Sequence, residues 1–234
     1  MKAMIFAAGL GTRLRPVTDT IPKAMVEVGG QPMLKIILDR CYNAGIHEVV
    51  INVHYLPQVI INFLAAYERP GMKIHISDES DELLETGGGL LKAKDYFNDG
   101  QPFLIANADI LTNIDLEMFM QMHIELGGIA TLAVRNRNTS RKLLFDKDGK
   151  LQGRATSEST GFELAFSGYH IVDPKIFDHI TRSGKFSIVD WYLDICHQED
   201  IFAYPHQEDI WIDVGTIEKL QEANQAYLQF KYLF

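Results

Sequence analysis

Arg13, Arg15 and Lys23 place three positive charges in one short stretch, just after an apolar run at residues 3–7. Between the run and the charges lies Ala8-Gly9-Leu10-Gly11-Thr12. Its two glycines let the main chain approach a ligand closely and offer N–H groups to phosphate oxygens. Arginine grips such oxygens with a fork, and lysine acts as a mobile point charge, so the set suits a triphosphate. It is not a Walker loop, because no Gly-Lys-Ser/Thr follows, and not a dinucleotide fingerprint, because Leu14 stands where the third glycine would fall.

Two carboxylates stand in apolar settings far apart in the chain. Asp109 ends the run Phe103-Leu104-Ile105-Ala106-Asn107-Ala108, and Asp213 lies between Ile212 and Val214. An isolated buried carboxylate is costly and needs a partner. Mg²⁺ is a hard cation that takes few protein carboxylates and completes its shell with phosphate and water oxygens, and Asp109 with Asp213 fits that role. A second glycine cluster, Thr86-Gly87-Gly88-Gly89, costs roughly 0.5–1 kcal/mol per glycine relative to alanine at a helix start. A base or ribose lying against the backbone would require the missing side chains.

These groups need a frame, and the chain alternates strand and helix patterns. Apolar runs at 3–7, 49–53, 72–76 and 103–106 alternate with helical periodicity at 33–44, 57–67 and 90–97. Continuous apolar strands separated by helices imply a parallel sheet covered on both faces, with ligands beyond the carboxyl ends of the strands. The second half reads as a strand at 129–135, a hairpin turning at Asp146-Lys147-Asp148-Gly149, a strand at 162–172 and helices starting near Asp173-Pro174, Ser187-Ile188 and Thr216. We expect one domain over 1–234, in two halves at 1–134 and 135–234. The net charge of −9 without any basic run argues against a nucleic-acid binder. No stretch approaches the length of a membrane span, no signal-peptide pattern opens the chain, and the cytoplasm is the expected compartment. Cys41 and Cys196 read as buried free thiols.

Gly9-x-Gly11-Thr12-Arg13-Leu14-x-Pro16, then Thr18 and Pro22-Lys23-Ala24-Met25, resembles the opening motif of the sugar-phosphate nucleotidyltransferases. Asn107-Ala108-Asp109 and Trp211-Ile212-Asp213-Val214-Gly215-Thr216 resemble two further motifs of that family, and the resemblance runs to about Tyr227. Leu84-Glu85-Thr86-Gly87-Gly88-Gly89 and Phe166-Ser167-Gly168 are similar to the subgroup that includes the N-acetylmuramate-1-phosphate uridylyltransferases. The resemblance implies a Rossmann-like three-layer α/β/α fold with a mixed, mostly parallel sheet. It also implies Mg²⁺-dependent transfer of a nucleoside monophosphate from NTP to a sugar 1-phosphate, with release of pyrophosphate. Arg13 would hold the leaving pyrophosphate, Lys23 would screen the two reacting phosphates, and Asp109 with Asp213 would chelate Mg²⁺. Ala8, Gly9, Gly11, Thr12, Glu79, Thr86, Gly87, Gly88 and Asn107 would contact the nucleotide, and Gly161, Phe166, Ser167 and Gly168 the sugar.

The family's Glu-Lys-Pro lysine for the sugar phosphate is missing, and Arg154 or Lys185 is a candidate to replace it. The C-terminal β-helix of longer relatives is also missing, so no acetyltransferase activity is expected. UTP with an N-acetylated sugar 1-phosphate is the favoured pair. The alternatives are GTP with a mannose or heptose 1-phosphate, a cytidylyltransferase acting on phosphocholine, and a nucleotide-sugar sensor. A monomer or homodimer that binds neither nucleic acid nor membrane is expected.

Overall fold

The computed structural model describes residues 1–234. Its strands are β1 (Lys2–Phe6), β2 (Glu27–Val28), β3 (Gln31–Pro32), β4 (Glu48–Val53), β5 (Lys73–Asp78), β6 (Phe103–Asn107), β7 (Ile110–Thr112), β8 (Ala130–Arg135), β9 (Lys142–Phe145), β10 (Leu151–Arg154), β11 (Phe162–Val172), β12 (Ile201–Pro205) and β13 (Trp211–Asp213). Its helices are α1 (Met33–Asn43), α2 (Pro57–Ala66), α3 (Glu85–Lys92), α4 (Leu116–Leu126), α5 (Ile188–Ile195) and α6 (Ile217–Phe230). No helix is long and apolar enough to cross a membrane.

Strands β5, β4, β1 and β6 lie side by side and parallel, as their continuous apolar sequences require. Alternate residues of each strand feed two cores. Ala3 and Ile5 point into one and Met4 and Phe6 into the other, so the sheet is the middle layer of three. The pattern changes at β11, which runs antiparallel to β6 and to β8. One edge of β11 is shared. Its first residues, 162–165, pair with β9, and its last, 169–172, pair with β6. Residues 166–168 fall between these two neighbours, and the sheet splits there, beside the carboxyl end of β6.

The caps sit where the sequence places them. Asp173 accepts from the Lys175 amide, Ser187 from Val189 and Thr216 from Lys219. The hairpin turn is held by Asp146, which accepts from the amides of Asp148 and Lys150. Cys41 is fully buried, and burial pushes its thiol up to about 12. The expected helix at 90–97 is corrected: α3 begins at Glu85 and ends at Lys92, a 3-10 turn (Lys94–Phe97) follows, and the three glycines lie inside the helix. Helix α4 and the β7–β13 ribbon were not legible as elements. The first has a short apolar face, Leu116 and Phe119, and the second consists of two three-residue strands.

His170 on β11 is fully buried, with Nδ1 2.5 Å from the Tyr192 hydroxyl. Burial pushes its pKa down to about 3, and that of buried His206 to about 4. Both imidazoles are neutral in the fold and charge only on unfolding, at their ordinary value near 6.5. Between these values the unfolded chain binds more protons, so stability falls as pH drops below about 6.5. By about pH 5 the loss from His170 alone is about 2 kcal/mol. Thermal unfolding at neutral and acidic pH should show this drop, and His170→Gln should reduce it. An equal drop in the variant would refute the assignment.

Candidate active site

The short ribbon sets the geometry of the site. β13 runs antiparallel to β7 with Asp213 opposite Ile110, and the Val214 amide donates to the Asp109 carbonyl at 2.8 Å. This register brings Asp109 and Asp213 together across the ends of two distant segments. Two carboxylates so placed repel each other unless a cation joins them. Lys23 supplies it: its ammonium is hydrogen-bonded to Asp109 and lies 3.7 Å from Asp213 Oδ1. The Lys23 side chain is only 12% exposed, while its two carboxylate partners are partly open to solvent.

The glycine loop aims Lys23. Gly11 has φ +65°, and a β-carbon there would lie 2.9 Å from Thr18 Cγ2 and 3.1 Å from Lys23 Cβ. Thr18 closes the turn by donating to the Gly11 carbonyl at 2.8 Å. Nothing lies within 4 Å of a β-carbon placed at Gly9. Arg13 is exposed, and its guanidinium stands over Gly215 next to Asp213; a β-carbon at Gly215 would lie 2.8 Å from Arg13 Nη2 and 2.9 Å from Asp213 Oδ1. Arg15 turns away and pairs with Asp19 at 3.2 Å. Thr12 is exposed at the start of the 3-10 turn Thr12–Leu14.

Two clefts meet at the carboxylates. The first, about 370 Å³, is lined by Ala8, Gly9, Lys23, Asn52, Thr86 and Asp109 among others. The second, about 490 Å³, contains Arg137, Arg141, Arg154, Phe166–Gly168, Trp211 and Asp213. Asn107, Asp109 and Ser187 line both. The second cleft occupies the split in the sheet, where side chains take up main-chain acceptors of β11. Arg137 Nη2 donates to the Phe166 carbonyl at 3.3 Å and Trp211 Nε1 to the Ser167 carbonyl at 2.8 Å. Gly168, with φ +84°, brings the main chain against Asn107; a β-carbon there would sit 2.7 Å from Asn107 Nδ2.

Four expected ligand contacts are corrected. Glu79 is fully buried below the first cleft, where Oε1 accepts from Asn52 Nδ2 at 2.7 Å and Oε2 from the Leu84 amide at 3.2 Å. Burial pushes its carboxyl above the usual range. It positions Asn52, which lines the cleft and whose Oδ1 accepts from the Ala7 amide at 2.8 Å. Gly87 and Gly88 are small for packing reasons. Their β-carbons would lie 2.3 Å from Phe186 Cε2 and 2.2 Å from the Gly184 carbonyl, and both amides donate to the Phe186 carbonyl. Gly161, with φ +149°, packs on the Phe145 carbonyl and lines neither cleft.

Of the two replacements for the missing lysine, Arg154 lies in the second cleft. Lys185 instead faces Glu85 at 3.8 Å. Arg137 and Arg141 were missed. Their signal was a cluster of cations, Arg135, Arg137 and Arg141, at the end of an apolar strand, the same pattern that marked Arg13 to Lys23.

The residues present fit a divalent cation. Two carboxylates converge on one point of positive charge, and the buried Asp213 Oδ1 has no hydrogen-bond partner. Two protein oxygens suit Mg²⁺, which keeps its other positions for water and phosphate.

The chain matches the nucleotidyl transferase family over residues 2–230. It is 34% identical to the N-acetylmuramate alpha-1-phosphate uridylyltransferase of Neisseria meningitidis, covering 95% of this chain and 96% of that protein. It is 31% identical to the mannose-1-phosphate guanylyltransferase catalytic subunit beta of Dictyostelium discoideum, covering 97% of this chain and 65% of that one. The UDP-glucose pyrophosphorylase structure from Acinetobacter baumanii shares the fold, with TM-score 0.82 and 18% identity over 99% of this chain and 97% of its own.

Gly88→Ala should destabilise the fold, because the new methyl meets a main-chain carbonyl that cannot move aside. Overpacking of this kind costs about 1–3 kcal/mol. The check is the thermal midpoint, which should fall. An unchanged midpoint together with lost nucleotide affinity would restore the ligand-facing reading of this glycine.

Proposed function

The chain belongs to the nucleotidyl transferase family and is a sugar-1-phosphate nucleotidyltransferase, and we propose that it uses UTP and an N-acetylated sugar 1-phosphate of the N-acetylmuramate type. The observation that carries the reading is the convergence of Asp109, Asp213 and Lys23 where the two clefts meet. A nucleotide in the first cleft and a sugar phosphate in the second would bring both phosphates to that point.

No nucleophilic side chain is needed. An oxygen of the sugar phosphate attacks the α-phosphorus, the new P–O bond forms, and the bond to the β-phosphate oxygen breaks to release pyrophosphate. What the protein must supply is alignment and neutralisation of charge. Asp109 and Asp213 would hold Mg²⁺, which when bound supplies Lewis-acid charge at the α-phosphate. Lys23 lowers the repulsion between the two phosphates. The open backbone at Gly9 admits the triphosphate, and Arg13 faces the departing pyrophosphate.

The preference for uracil rests on two supports. The Neisseria relative is matched over 96% of its own length, and Glu79, the group suited to guanine N–H donors, is committed to Asn52 and Leu84. A site built for one hydrogen-bond pattern disfavours the other, because buried polar groups are left unpaired.

Lys23→Ala should lower pyrophosphate release by more than about tenfold with circular dichroism unchanged, since one charge-assisted contact is worth about 1.5–3 kcal/mol. Activity should vanish in excess EDTA and return with Mg²⁺; persistence without metal would exclude the carboxylates as its ligands. The donor is read from kcat/KM for UTP, GTP, CTP and dTTP with the same sugar phosphates. A preference of about tenfold or more for GTP, as expected of a guanylyltransferase, would reverse the ranking.

A further inference from the structure

The second cleft holds three guanidinium groups in different states. Arg154 is exposed and paired with Asp190 at 3.0 Å, and Arg141 is exposed. Arg137 is half-buried and forms no ion pair. Its charge lies 4.9 Å from the centre of the Trp211 ring, Nη2 reaches the Phe166 carbonyl at 3.3 Å, and the buried Nε has no partner. Trp211 cannot swing away, because its own Nε1 is held on the Ser167 carbonyl. Burial works against the Arg137 charge, and the carboxylate whose field supports it is Asp213.

A fixed guanidinium with no ion-pair partner and a free donor is a receptor for an anion. Its cleft also contains Asp109 and Asp213, so the anion it takes is the one that reacts there. The first cleft, with the glycine loop, does not include Arg137, which separates it from the nucleotide phosphates. We infer that Arg137 binds the phosphate of the incoming sugar 1-phosphate and does for this chain what neither Lys185 nor the paired Arg154 does. The stack on Trp211 and the hydrogen bond to Phe166 present its edge ready-made, so little ordering is needed when the phosphate arrives.

The inference rests on the transferase reading, and the test separates the two. Wild type, Arg137→Met and Arg137→Lys are assayed by pyrophosphate release with N-acetylmuramate, N-acetylglucosamine, glucose and mannose 1-phosphates. Arg137→Met keeps an unbranched chain against Trp211 and removes the charge. It should raise KM for the best sugar phosphate by roughly tenfold or more, leave KM for the nucleotide within about twofold, and keep the thermal midpoint. Arg137→Lys should recover part of the loss. Inorganic phosphate should compete with the sugar phosphate in wild type and weaken roughly tenfold as an inhibitor of Arg137→Met. An unchanged sugar-phosphate KM, or an equal rise in both KM values with a lower midpoint, overturns the inference and leaves the transferase reading standing. No turnover of any sugar phosphate by wild type overturns both.

Discussion

Mutual repulsion between Asp109 and Asp213 is the constraint around which the active site is arranged. The pairing of β7 with β13 fixes the two carboxylates side by side, through main-chain hydrogen bonds that neither side chain can escape. A positive charge must then sit between them, and the loop after β1 exists in the shape that delivers Lys23 there. Gly11 is glycine because a side chain would strike Thr18 and the Lys23 stem, and a side chain at Gly215 would push aside the ends of Arg13 and Asp213. Charge, loop conformation and glycine placement are one interlocked solution.

The second constraint is backbone hydrogen bonding. Dividing one edge of β11 between β9 and β6 opens the sheet next to Asn107, and main-chain carbonyls exposed in the gap need donors. Arg137 and Trp211 satisfy two of them. The same two side chains line the second cleft, so the split in the sheet and the polar character of that cleft have a common origin.

The parallel half of the fold was legible because buried strands such as β1 and β4 announce themselves as unbroken apolar runs. The carboxylates were legible because Asp109 and Asp213 stand in apolar surroundings where a charge needs a reason. What failed depended on partners distant in the chain. Glu79 looked free for a base, yet Asn52, on the neighbouring strand β4, holds it. For Gly87 and Gly88 the exclusion of side chains was read correctly and its cause was not, since Phe186 and Gly184 lie about a hundred residues downstream. Gly161 fell to the Phe145 carbonyl in the same way. Arg137 was overlooked because nothing in its local sequence shows that Trp211 will lie beneath it.

The closing helix ties the chain's far end to its beginning. The Gly29 amide donates to Asn224 Oδ1 at 2.8 Å, and the Tyr227 ring lies so close to Gly29 that a β-carbon there would be 2.1 Å from it. During synthesis, Lys23 and Asp109 leave the ribosome well before Asp213 and the helix that packs on Gly29. The nascent chain therefore carries Lys23 and Asp109 without their second carboxylate, and the cluster closes only when residues 211–227 have emerged and folded back. A chain cut between β12 and β13 would keep the parallel strands β1, β4, β5 and β6 and lose Asp213, the carboxylate that completes the cluster.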